Sequence, residues 1–266
     1  MKNNVVVYTG LALFAGAGGL ELGLSFALGT DYRPVAYVER ECTSAAVLAA
    51  NMERGWLDKA PVWDDVTTFT GDVVSPLVDQ IDIISAGFPC QPFSVAGNRE
   101  GLDDPRWLWP HIFRLVREIR PRGIFLENVP GILHGGIEHV LGDLASVGFA
   151  AEWTSVRASD VGAPHRRERV FILGNSDRQG LQGRQQPVGQ SSHERPAWPP
   201  SPADTDAWEQ VDEQYFPATQ PEVRGVADGV ARGLGRADKL RILGNGVVPQ
   251  QAALAYTLLS ERISNP

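Results

Sequence analysis

The chain has 266 residues, of which 43% are hydrophobic and 21% charged. That is ordinary globular composition, and it excludes a wholly disordered chain. The formal net charge is −8 and the only cysteines are Cys42 and Cys90, which excludes a broadly basic nucleic-acid coat, a disulfide scaffold and a Cys-rich zinc site. Lys2 precedes the apolar stretch Val5–Leu13, which can be read either as a secretory leader or as a buried strand. Tyr8-Thr9-Gly10 interrupts the run and favours the strand. No stretch of about 18 apolar residues is present, so a cytoplasmic protein without a membrane partner is expected.

Short apolar runs alternate with helix-period segments as far as Gly174. The first predicted strand is Leu11–Phe14, followed by glycines and a helix over Leu20–Leu28. Val35–Val38 is the next strand and Thr43–Met52 an Ala-rich helix. Ile81–Ser85 is a strand, Trp107–Ile119 a helix stopped by Pro121, and Gly123–Leu126 another strand. Ile137–Val147 is helical and Arg169–Leu173 a late strand. This alternation predicts an α/β protein, a Rossmann-like, mostly parallel sheet with helices on both faces. From Asn175 to about Arg236 the chain is rich in Gln, Gly, Pro and Ser, without apolar periodicity; a linker and a recognition insert both fit. Helix returns over Gln250–Ile263.

Sheets of this kind carry their sites at the carboxyl ends of the strands. Phe14-Ala15-Gly16-Ala17-Gly18-Gly19 lies between a strand and a helix, where backbone must turn tightly and approach a ligand. Gly16 and Gly18 fit a dinucleotide fingerprint, but Glu21 fills its third glycine position. Glu39 ends the second strand and can accept from ribose hydroxyls; Asp65 can accept from an adenine amino group. The pattern points to an adenosine-containing ligand. Cys90 sits between Pro89 and Pro92 beyond the Ile81–Ser85 strand, a setting poor for regular structure. Glu127 follows the Gly123–Leu126 strand, so the thiol and the carboxylate are expected at one edge. Arg167 and Arg169 alternate along an incoming strand and offer fixed guanidinium donors. The histidines show no metal-binding spacing.

Together these blocks resemble the DNA cytosine-5 methyltransferase family. Leu13–Gly19 is similar to its S-adenosyl-L-methionine loop and Gly87-Phe88-Pro89-Cys90-Gln91-Pro92-Phe93-Ser94 to its nucleophile motif. Glu127-Asn128-Val129, Arg167-x-Arg169 and Gly244-Asn245-Gly246-Val247-Val248-Pro249-Gln250 follow in the family's order. His165 stands where the family usually has Gln, and Gly246 where it often has Ser or Ala. The resemblance implies an S-adenosylmethionine-dependent methyltransferase fold with domains at 1–174 (catalytic and cofactor-binding), 175–240 (target recognition) and 241–266 (a segment returning to the catalytic domain). It implies catalytic roles for Cys90, Glu127, Arg167 and Arg169. It implies cofactor contacts from Phe14, Gly16, Gly18, Gly19, Glu39, Asp65, Val66, Leu108, Asn245 and Val247. Cys90 would add to C6 of a flipped cytosine, Glu127 would hold a proton at N3, and Arg169 would contact the cytosine carbonyl with Arg167 in support. The loop 93–105 would cover the site. The implied partners of a monomer are double-stranded DNA and a separately acting restriction endonuclease. A tRNA cytosine-5 methyltransferase, a silent DNA-binding relative and a nicotinamide oxidoreductase are the competing readings.

Overall fold

The apolar runs of the first 176 residues pair into one sheet of seven strands. The computed structural model describes residues 8–74, 81–89, 107–176 and 236–264. The strands are β1 (Tyr8–Leu13), β2 (Tyr32–Val38), β3 (Val62–Trp63), β4 (Ile83–Gly87), β5 (Gly123–Asn128), β6 (Phe149–Arg157) and β7 (Glu168–Ser176). They lie in the order β3-β2-β1-β4-β5-β7-β6. The first five are parallel, whereas β7 runs antiparallel to both β5 and β6. The sheet is thus mostly parallel, as the alternation of elements predicts, with an antiparallel edge that the periodicity did not reveal. β6 escaped the sequence reading because its residues are mostly exposed or half-buried, so no apolar run marks it.

Alternate residues of the central strands feed two separate cores, as the pleat requires. Ile84, Ile124 and Ile172 face one side, with Ile112, Leu115, Val140 and Leu144 packed over them. Those four belong to α4 (Trp109–Ile119) and α5 (Ile137–Ser146). Ile83, Phe125 and Phe171 face the other side, against α1 (Gly19–Leu28) and the C-terminal helix. α2 (Cys42–Glu53) packs Leu48 and Met52 near Ala12 and Tyr37. A short α3 (Gly71–Val74) precedes β4. Pro34 is tolerated within β2 because β1 shifts register opposite it, between Gly10 and Leu11.

Two further helices follow, α6 (Arg236–Asn245) and α7 (Pro249–Ser264). The second matches expectation; the sequence pattern does not announce the first. α7 lies against α1 at very short range. A Cβ at Gly19 would run into the Val247 carbonyl, and one at Gly23 would sit 2.6 Å from the Ala252 Cβ. Only glycines permit that approach. Most of the 175–240 segment, and the 93–105 cover, lie outside the described residues.

Beneath the glycine loop, Glu21 is 1% exposed on α1. Its Oε1 accepts from the Ser85 hydroxyl at 2.9 Å, while Oε2 and the nearby Tyr32 hydroxyl are buried without partners among the described residues. Burial pushes the Glu21 carboxyl from 4.5 to about 7, against the smaller pull of its hydrogen bonds. Between those pH values the folded chain holds a proton that the unfolded chain has lost, so Glu21 lowers stability as pH rises from 4.5 to 7. Glu21→Gln should remove that contribution, worth at most about 3 kcal/mol. Melting curves recorded across this range for both proteins check it: the variant's melting temperature should fall less steeply.

Candidate active site

The parallel strands end on one edge, and a cavity of about 650 Å³ opens there. Its walls come from the turn after β1, the ends of β2, β4 and β5, the start of β7, and the end of α6. The volume is typical for a small-molecule site.

One end is built on the glycine loop. Phe14 takes a φ of 53°, a conformation that non-glycine residues hold only where the surroundings enforce it. Glu39 follows β2 and ties the loop down: its Oε2 accepts from the Gly16 N–H and its Oε1 from the Glu41 N–H, both at 2.7 Å. An ionised carboxylate has about four acceptor positions, so each oxygen can accept again. Asn51 of α2 donates to the Ala17 carbonyl at 2.9 Å. Asp65 sits beyond β3, where the Thr67 N–H bonded to it lowers its pKa, with Arg40 assisting. Val66 and Leu108 add apolar wall.

The other end is a buried ion pair. Arg169 Nε donates to Glu127 Oε1 at 2.9 Å, and both side chains are largely buried. Glu127 lies within β5 rather than on a loop after it, so its backbone is fixed by ladder bonds on both sides. Burial raises its carboxyl from 4.5 to about 7, and the opposing charges of Arg169 and Arg167 only partly offset this. At neutral pH the group is thus divided between acid and carboxylate. Burial, then the Arg169 charge, brings the Arg167 guanidinium down to about 10, so it remains cationic. Arg169 Nη1 also donates to the Glu168 carbonyl at 2.8 Å. Of the five guanidinium donors, this leaves others for a bound carbonyl, counting partners among the described residues.

Phe14, Gly16, Glu39, Asp65, Val66, Leu108 and Asn245 of the expected cofactor set line the cavity together with Glu127 and Arg169. Gly18, Gly19 and Val247 do not line it; Gly19 and Val247 instead meet behind it. Arg167 turns its guanidinium toward the carbonyls of Gly244 and Gly246. It precedes β7 with a φ of 21°, so strand alternation does not carry it beside Arg169. Cys90 lies outside the described residues, although Phe88 and Pro89 before it reach the cavity wall.

Two further residues, Asn128, known from its motif alone, and Arg114, shape the site. Asn128, 3% exposed, donates Nδ2 to the Phe88 carbonyl at 3.0 Å and so joins the end of β5 to the end of β4. Arg114 reaches from α4 to the carbonyls of Val66 and Phe69 at 3.1 and 2.7 Å, which fixes the turn after Asp65. Phe88 packs edge-on against Trp107, with ring centroids 5.8 Å apart.

Comparison with known proteins follows the same lines. The sequence model for C-5 cytosine-specific DNA methylases matches residues 8–223. The chain is 36% identical over 174 residues to the Type II methyltransferase M.NgoMIV of Neisseria gonorrhoeae, covering 62% of this chain and 51% of that protein. It is 38% identical over 169 residues to M.NaeI of Lentzea aerocolonigenes, covering 60% and 38%. The chain therefore spans about half or less of the length of these curated relatives. In fold it is similar to the S. pombe Dnmt2 methyltransferase, with a TM-score of 0.64 at 17% identity over 96% of this chain and 99% of that one. With its family match running from β1 through the whole of the sheet, the chain belongs to the C-5 cytosine-specific DNA methylase family.

Proposed function

We propose that the protein transfers a methyl group from S-adenosyl-L-methionine to C5 of cytosine in duplex DNA. The observation that carries this reading is the buried Glu127–Arg169 pair at one end of a cavity whose other end presents Glu39 and Asp65. The residues fit the cofactor. Apart from its own chain neighbours, no atom of the described residues lies within 4 Å of the place a Gly16 Cβ would occupy, so a ligand can lie on that backbone. Glu39 keeps acceptor capacity for two ribose hydroxyls, Asp65 is ionised and can accept from an adenine amino group, and Phe14, Val66 and Leu108 supply apolar contact. The cofactor provides an electrophilic methyl group on sulfonium sulfur.

The chemistry for this chain's residues follows from the weak nucleophilicity of C5. The Cys90 thiolate adds to C6, forming a C–S bond and moving ring electrons toward C5. Glu127, poised near neutrality, gives a proton to N3, so the ring does not accumulate negative charge. Arg169, held in place by Glu127, donates to the cytosine carbonyl. C5 then bonds to the methyl carbon as that carbon's bond to sulfur breaks, the electron pair staying on sulfur; the C5 proton leaves to a base, the electrons of that C–H bond expel the Cys90 sulfur, and the N3 proton returns to Glu127. The cytosine must leave the helix to reach these groups. Residues 1–174 and 241–266 would form the catalytic part and 175–240 the target-recognition region. The exposed Arg157 and Arg166 near this edge offer phosphate contacts despite the net charge of −8. A monomer acting on its own, beside a separately acting restriction endonuclease of matching specificity, completes the reading.

Tritium transfer from labelled cofactor tests it directly. The label should enter duplex DNA and not tRNA, and Cys90→Ser should lower the rate by a factor on the order of 10³ or more while still binding cofactor. Methylation at full rate by Cys90→Ser would remove the thiol from the mechanism. Glu127 makes a second expectation. Because the proton it holds is lost as pH rises through about 7, kcat/KM should fall above that pH. In Glu127→Gln the reaction should be slower and that falling limb absent. Glu39→Ala should weaken cofactor binding by about tenfold in calorimetry, the loss of charge-assisted hydrogen bonds, and leave the folded state populated.

A further inference from the structure

Arg167 is fastened at both ends. Gln251, fully buried on α7, donates Nε2 to the Arg167 carbonyl at 2.8 Å and to the Val156 carbonyl at 2.6 Å. The Arg167 backbone is held at a φ of 21°, which costs free energy for a side-chain-bearing residue. Its guanidinium donates through Nη2 to the carbonyls of both Gly244 and Gly246. Those glycines, with Asn245 between them, form part of the cavity wall. Val247, the next residue, lies against Gly19 at the start of α1. Two residues along from Arg167, Arg169 grips Glu127.

We propose that Arg167 is a positioning residue for the cofactor: it pins the Gly244–Gly246 segment over the cavity and ties that segment to the strand that carries Arg169. The inference rests on the reading that this cavity takes S-adenosylmethionine. Its physical basis is the Nη2 amino group, whose two N–H donors serve the two neighbouring carbonyls from a rigid plane; a lysine ammonium would have to reach them from a flexible stem. The Arg167 Nε is buried without a partner among the described residues, a cost that the two carbonyl bonds and the anchored backbone must outweigh. The arginine thus contributes to the site from behind the wall. A target contact would require its donors to face the flipped base instead.

Titration with S-adenosylhomocysteine in the absence of DNA separates the two roles. Arg167→Met keeps the aliphatic stem and removes every donor; it should weaken binding about tenfold or more, as expected for loss of charged hydrogen bonds. Arg167→Lys should fall between it and wild type. If Arg167→Met binds as wild type does and only its kcat/KM for DNA falls, the residue serves the target and the proposal is wrong. Should Arg167→Met fail to melt cooperatively, Arg167→Lys decides: weaker binding at an unchanged melting temperature supports the proposal, and wild-type affinity overturns it. Wild-type protein that binds the homocysteine product but methylates no DNA would strike the functional reading and leave this inference standing. Wild-type protein that does not bind it overturns both.

Discussion

The close seating of α7 on α1 is the constraint on which the cavity depends. Gly19 and Gly23 leave one face of α1 without side chains, and Val247 and Ala252 occupy the space. The sheet alone offers an open edge with Glu39, Asp65 and Glu127 spread along it. The α6–α7 segment gives that edge its remaining wall, from Arg241 to Gly246. Leu20 and Leu24 of α1 then share a core with Ala255, Tyr256 and Leu259 of α7, and burial of that apolar surface holds the two helices together. An ion pair between Arg241 and Glu41, 2.7 Å apart, adds a second tie across the mouth. Being about half exposed, it contributes little to stability by itself.

Electrostatics divides the cavity into two environments. At one end, Glu39 accepts from backbone N–H groups, and the Thr67 N–H favours the ionised form of Asp65. At the other end, Glu127 is enclosed so thoroughly that desolvation outweighs two neighbouring guanidinium groups. Asp65 and Glu127, on one sheet edge, are therefore shifted in opposite directions, the first by a backbone hydrogen bond and the second by burial. Glu21, the other buried acid among the described residues, shares the raised value but lies beneath the glycine loop, on Ser85, and is not one of the residues that line the cavity.

Much of this was legible in the sequence. Apolar runs such as Ile83-Ile84 and Ile124-Phe125 announced buried parallel strands, and the glycine loop, Glu39 and Glu127 could be placed at strand ends by that rule alone. The boundaries were less legible. β5 extends through Asn128, since Glu127 and Asn128 have antiparallel partners in β7, a pairing that no local pattern announces. β6 was missed because an edge strand with polar faces lacks the apolar signal. Arg167 was expected to share a face with Arg169; the turn at φ 21° before β7 breaks the alternation on which that expectation stood. Gln251 and Arg114 were not singled out, and Asn128 only as a member of a motif, because each acts on backbone carbonyls, and backbone partners leave no trace in residue types.

The joining of α1 to α7 links residues more than 200 positions apart in the sequence. Contacts of that separation are entropically costly to bring together and form slowly. A nascent chain halted on the ribosome before Val247 could lay down the strands, yet it would lack the roof over the glycine loop. Competence would then arrive in one step, when that segment docks, and not by degrees.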